Sequence, residues 1–230
     1  MTKFVQEQSA YLNEDPREKD YYPFVYELIR SKNFKSVLDI GCASGDFINL
    51  LKIPNIKCYG IDVSNDLITI AKSQNTDKKK QFFCLDILND KVEIQNPIDL
   101  VTCFGTIGAI ENFELFIKKI IELKPRLVMF NDLINENGLD IVCGYKRHFN
   151  DNFNYAYNIR CFETWKEVVK MYPGYSVDFQ PYKMSTNLKK TDDPIRNFHS
   201  NVDNEQVQRN GLDLLLRPYN IFIRNEKLET

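Results

Sequence analysis

The sequence predicts an α/β protein with a doubly wound, mostly parallel sheet. Three observations predict it. Short apolar runs alternate with amphipathic segments through the first half of the chain. The first run enters a small-residue turn and then a helical pattern. Aspartates recur at or near the ends of successive runs. Strands joined by single helices run parallel through right-handed crossovers, and that arrangement is this architecture.

The elements follow in order. Ser36–Ile40 (SVLDI) reads as a strand ending at a glycine, and Asp46–Leu51 as a helix. Lys57–Val63 is a second strand and Asp66–Lys72 a second helix. Gln81–Leu88 is a third strand, Ile98–Phe104 a fourth, and Glu111–Leu123 has helical periodicity. Arg126–Asn131 is a fifth strand. The second half differs. Residues 133–160 form a long stretch rich in Asn and Tyr before a helix at Glu163–Met171. Tyr175–Tyr182 is a sixth strand, residues 184–213 are polar and irregular, and Leu214–Arg224 closes a seven-stranded sheet. The two long segments read as cap insertions, one after the fifth strand and one between the last two, although plain packing decorations would look alike. With 230 residues and no repeat or linker, the chain reads as one domain over 1–230, with a leader and helix over 1–35.

Composition narrows the function. Apolar residues are 43% and charged residues 27%, which fits a globular chain. Thirty Lys and Arg against thirty-two Asp and Glu leave a net charge of −2, so no basic excess points to nucleic acid. No apolar run reaches the ~20 residues of a membrane span, and the polar N-terminus does not resemble a signal peptide. A cytoplasmic monomer or homodimer is expected. The six cysteines are scattered without a C-x-x-C pair, so reduced thiols are expected and no metal site.

The informative segment is Val37-Leu38-Asp39-Ile40-Gly41-Cys42-Ala43-Ser44-Gly45-Asp46. Gly41 and Gly45 let backbone approach a ligand around Cys42, and the helix start offers a positive dipole end. Asp39 sits inside an apolar strand, where a carboxylate is costly without a partner. A ligand ammonium would be one partner; nearby backbone would be another. Asp62 ends the second strand, where a carboxylate can accept both hydroxyls of a ribose. Asp86, in Cys84-Leu85-Asp86-Ile87, could accept from an adenine amine, with Ile87 and Val63 as walls for the ring. Ammonium, ribose and adenine in a row describe S-adenosylmethionine. A dinucleotide would need G-x-G-x-x-G spacing, and Asp39 and Asp46 would repel its phosphates.

VLDIGCASGDF, IDVS, CLDI and DLVTCFGTIGAIEN resemble the successive motifs of class I SAM-dependent methyltransferases with a Rossmann-like sheet, in particular the bacterial small-molecule group of the methyltransferase-11/12 type. The resemblance covers about Tyr11 to Asn131. The leader YLNEDPREKDYYPFVYELI is similar to that of the group. It implies that Arg17, with Tyr11, holds the cofactor carboxylate, as a guanidinium does bidentately. Otherwise Arg17 is a solvated side chain. Phe104 would line the methionine moiety or simply pack in the core. Two departures stand out. Ala43 replaces the usual middle glycine, tolerable at negative φ. The histidine that relatives carry near Ala109 is missing. The fourth strand also lacks the Asn/Asp-Pro-Pro-aromatic motif of enzymes that methylate nucleic-acid bases.

The resulting expectation is methyl transfer from S-adenosylmethionine, giving S-adenosylhomocysteine, to an oxygen or nitrogen of a small metabolite or sugar precursor. His148 and His199, both in the cap segments, are candidates for a general base or else surface and packing residues. Tyr145, Tyr155 and Tyr157, with Arg147 and Arg160, form either a polar aromatic substrate pocket or an ordinary cap core. Two other readings are a catalytically silent SAM- or nucleotide-binding module and a methyltransferase acting on protein or RNA.

Overall fold

The computed structural model describes residues 19–94, 97–146, 148–150, 154–182, 189–190, 198–209, 215–216 and 218–228. The first element is helix α1 (Tyr22–Ser31). Pro23 stands in its first turn, where a missing N–H costs nothing, and it buries Tyr22, Val25 and Ile29. Strand β1 (Ser36–Ile40) is buried along its whole length, as a central parallel strand must be. Helix α2 (Asp46–Leu50), strand β2 (Lys57–Asp62), helix α3 (Asn65–Gln74) and strand β3 (Lys80–Cys84) follow. Ser64 caps α3 by accepting from the Leu67 N–H at 3.4 Å. Strand β4 (Leu100–Phe104) leads through a short 3₁₀ turn (Ile107–Ala109) into helix α4 (Phe113–Glu122), capped by Asn112. Strand β5 (Leu127–Asn135) comes next.

The sheet runs in the order β3-β2-β1-β4-β5, all parallel, and is completed by β12 (Pro218–Asn225) and β8 (Tyr175–Pro181). Strand β12 is antiparallel to both of its neighbours. Two cores cover its faces. On one face α1, α2 and α3 pack over Val37, Leu100, Met129 and Phe222. On the other, α4 and helix α5 (Phe162–Lys170) pack over Leu38, Val101, Val128 and Ile221. Trp165 of α5 is fully buried between Phe113 and Phe130, with ring centroids 4.7 and 5.1 Å away.

Several boundaries move. The third strand stops at Cys84, because Asp86 and Asp90 fold the chain into a turn. The Asp86 carboxylate accepts from the Leu88 N–H, and Asp90 accepts from the Asp86 N–H. Residues 133–160, expected as an irregular cap, extend β5 to Asn135 and then build a hairpin of β6 (Ile141–Tyr145) and β7 (Asn154–Cys161). Strand β7 pairs with the end of β5, so the sheet gains two strands. The second cap segment contains β9 (Phe198–Val202) and β10 (Glu205–Arg209), which with β11 (Leu215–Leu216) make a separate antiparallel sheet. Asp203 and Asn204, both left-handed, make its two-residue turn, where side chains with local hydrogen-bonding capacity tolerate that backbone.

Candidate functional site

The carboxyl ends of β1, β2 and β4 meet around the turn Gly41–Gly45. Three residues of that turn are left-handed: Gly41 at φ 74°, Ala43 at φ 47° and Gly45 at φ 80°. Glycine is required at two of them for space as well. A Cβ on Gly41 would lie 2.1 Å from the Thr106 hydroxyl, and one on Gly45 would lie 2.7 Å from the Phe82 ring. Ala43 is the exception. The negative φ expected of a tolerated replacement is not what forms, so this position carries the strain of an L-residue in the left-handed region.

Asp62 accounts for that conformation. Its carboxylate accepts from the Ala43 N–H and from the Ser64 N–H, both at 2.9 Å, and so ties the turn to the end of β2. Each carboxylate oxygen has two lone pairs, so acceptor capacity remains for a ligand.

Asp39 is 5% exposed and accepts from the Thr102 hydroxyl at 2.7 Å. Strand register sets this pair, since Asp39 and Thr102 are directly opposite on β1 and β4. Burial raises the Asp39 carboxyl to about 7. The Thr102 hydrogen bond pulls it down, and Asp62 pushes it up again. The thiols of Cys42 and Cys103 are held protonated by burial, with Asp39 adding to the effect.

Asp86 lies beyond β3, not at its end, and is half-buried. It also accepts from the Asn89 amide at 2.6 Å. Ile87 is buried in the core, whereas Val63 is 70% exposed. Phe104 ends β4 with the Tyr21 ring 4.7 Å and the Phe47 ring 5.6 Å from its own. The chain entering α1 therefore crosses the sheet edge here: Tyr21 lies on Phe104, and Tyr22 lies close enough to Asp39 and Asp46 for both to raise its hydroxyl further above burial alone.

Tyr11, Arg17 and Arg147 lie outside the described residues, as do the side chains of Tyr145, Tyr155 and Tyr157. The two histidines sit on different units. His148 is exposed in the link between β6 and β7, and His199 is half-buried on β9 opposite Gln208. The central sheet, not these units, carries Asp39 and Asp62. Arg160 is 6% exposed and is no pocket residue. Its guanidinium donates to the carbonyls of Ile107 at 3.3 Å, Asn158 at 3.2 Å and Ile110, and lies 4.3 Å over the Phe113 ring. It fastens the hairpin to the turn after β4. Thr102, Thr106 and Phe82 were missed from sequence. Thr102 had a signal, being the polar residue inside DLVTCF that must face some neighbour.

All six cysteines are free; four are buried, Cys143 is half-buried and Cys84 is exposed. Among the described residues no cluster of His, Cys, Asp and Glu could hold a metal ion, and no helix is long and apolar enough to cross a membrane. The arrangement offers a buried carboxylate at Asp39, suited to a cation, and spare acceptor capacity at Asp62, suited to hydroxyl groups. Its carboxylates oppose phosphate.

A family model described as a methyltransferase domain matches residues 3–166. The malonyl-[acyl-carrier protein] O-methyltransferase of Priestia megaterium is 30% identical over 93 residues, which are 39% of this chain and 33% of that protein. The match thus spans about a third of the relative's length. Among solved structures, an S-adenosylmethionine-dependent methyltransferase from Clostridium acetobutylicum superposes with a TM-score of 0.57 at 13% identity, covering 96% of both chains. The magnesium protoporphyrin IX methyltransferase of Synechocystis PCC 6803 with bound SAH gives 0.56 at 12%, covering 95% of this chain and 93% of that one. Both likenesses concern the fold.

Proposed function

The chain belongs to the class I SAM-dependent methyltransferases, and from that premise we propose that it methylates an oxygen or nitrogen of a small molecule, using the carboxyl edge of β1, β2 and β4 as the cofactor cleft. The observation that carries this reading is Asp39. It is a buried carboxylate whose one hydrogen-bond partner among the described residues is the Thr102 hydroxyl. It stands beside a left-handed glycine turn, and burial raises it to about 7.

The residues fit the cofactor. Asp39 accepts from its ammonium, Asp62 from its ribose hydroxyls, and Asp86 from its adenine amine, with Val63 and Ile87 against the ring. Gly41, Cys42 and Gly45 bring backbone against it, Phe104 lines its methionine end, and Tyr11 and Arg17 of the leader take its carboxylate. When bound, S-adenosylmethionine supplies a methyl carbon that an acceptor lone pair attacks while the carbon–sulfur pair stays on sulfur. The protein's share is alignment and exclusion of water. An amine or hydroxyl acceptor must also lose a proton, for which His148 and His199 are the candidates. The chain acts as one domain, as a monomer or homodimer, with a small-molecule acceptor as its partner.

The test is calorimetry followed by transfer of labelled methyl. Asp62→Ala should weaken S-adenosylmethionine binding by about 1–3 kcal/mol, the range for hydrogen bonds to a charged group. Unchanged affinity would remove Asp62 from the site. His148→Ala and His199→Ala should leave that affinity intact, and the one that supplies the base should lower turnover.

A further inference from the structure

On the α1 face a row of side chains continues from Phe104, the cofactor residue at the end of β4, across the neighbouring strands. Strand register aligns Phe104 with Asn131, Asn131 with Asn220, and Asn220 with Gln180, across β4, β5, β12 and β8. Alternate residues of a strand share a face, and Met129 and Phe222 pack in the same core as α1. Asn131 and Asn220, each two residues from one of these, therefore lie on the face that holds Asp39 and Thr102. At ~4.8 Å between strands the row spans roughly 14 Å. The Asn131 amide donates to Asn220 Oδ1 at 2.8 Å, and Asn220 is 4% exposed. Aromatic rings stand beside the row. Tyr21 lies on Phe104, and the ring of Tyr182, just beyond β8, lies 6.2 Å from that of Tyr21. The Tyr182 hydroxyl is buried and takes no partner among the described residues.

Strand order supplies the ligand order. The ring belongs over β2 and β3, the diol at β2, and the ammonium between β1 and β4. A methyl acceptor in line with the sulfonium therefore falls next along the sheet, over β5 and β12. We infer that Asn131 and Asn220 are the specificity-determining pair for the acceptor, and that the acceptor is an uncharged molecule presenting neighbouring hydrogen-bond donor and acceptor atoms. The inference rests on the reading of the cleft given above. The amide pair spends one N–H and one carbonyl oxygen on itself. It leaves the Asn131 carbonyl oxygen and the Asn220 N–H groups for a neutral polar group, with the Tyr182 hydroxyl as a further contact. Among the described residues, the row and the rings beside it hold no lysine or arginine, so they offer a carboxylate or phosphate no counter-charge and suit an uncharged polar group.

The experiment fractionates a deproteinised small-molecule extract on a strong anion exchanger and offers each fraction to the whole protein with methyl-labelled S-adenosylmethionine. Label taken up with the unretained fraction supports the inference. Label taken up only with the retained, anionic fraction overturns it while leaving small-molecule methyl transfer intact. Label taken up by no small-molecule fraction, but by protein or RNA of a whole extract assayed in parallel, would instead overturn the small-molecule reading itself. Asn131→Leu and Asn220→Leu should each raise the acceptor KM tenfold or more with calorimetric affinity for S-adenosylmethionine unchanged. Wild-type KM in both would overturn the assignment. If Asn220→Leu fails to fold, the half-buried Asn131→Leu carries the same test.

Discussion

Asp39 shows how a single side chain couples binding to stability. The strand buries it, and Thr102 alone among the described groups hydrogen-bonds it. A buried carboxylate without a counter-charge destabilises the fold that holds it. Asp39→Asn should therefore stabilise the cofactor-free protein at pH 8 by on the order of 1–4 kcal/mol in urea denaturation, while S-adenosylmethionine binding falls below detection. A variant that is less stable and still binds would mean that Asp39 is a structural carboxylate. Ala43 is strained for the same site. Ala43→Gly relieves a left-handed L-residue but loosens the unfolded chain, so its melting temperature should stay level or rise, where Ala→Gly elsewhere lowers it. The chain reveals Asp39 and Asp62 because a carboxylate in an apolar strand, or at its tip, is conspicuous. It shows Thr102 as a polar residue in an apolar strand but hides its partner, and it hides Asn220, since register across β1–β4 or β5–β12 joins positions far apart in the chain.

At the level of elements, the hairpin β6–β7 is held at its root by Arg160. That guanidinium donates to two carbonyls of the 3₁₀ turn after β4, those of Ile107 and Ile110, and to that of Asn158 on its own strand, and it lies over Phe113. It also faces Asp132 on β5. Burial raises that carboxyl to about 7, and Arg160, with the Leu133 N–H, pulls it back down. Arg160→Leu should cost about 1–3 kcal/mol in urea denaturation, the range for leaving a buried hydrogen-bonding group without its partner. A cost below 1 kcal/mol would show the hairpin to be independent of the turn. This root explains why residues 133–160 read as an irregular cap. The Asn- and Tyr-rich composition lacks a clean alternation, and the strand pairing is fixed by Arg160 and by Asp140, whose carboxylate accepts from the Cys161 N–H at 2.8 Å. The five parallel strands, by contrast, are legible because each is a short apolar run bounded by turn residues.

Over the whole molecule, Asp39 and Asp132 make stability and cofactor binding respond oppositely to pH. Both carboxyls sit near 7 when folded, chiefly through burial, against about 4 in an unfolded chain. The native state therefore holds protons that the unfolded state releases. Their contribution to stability is fully present below about pH 4 and is lost as pH rises through about 7. The cofactor ammonium needs Asp39 ionised, so binding below pH 7 must expel its proton. Calorimetry at pH 6 in buffers of different ionisation enthalpy should show release of about one proton, falling towards none above pH 8. The melting-temperature gap between protein saturated with S-adenosylmethionine and cofactor-free protein should likewise widen from pH 5.5 to 8. Asp132 destabilises both forms alike and cancels from that gap. A gap that stays constant with pH would separate Asp39 from the ammonium and return the cleft to a purely structural explanation.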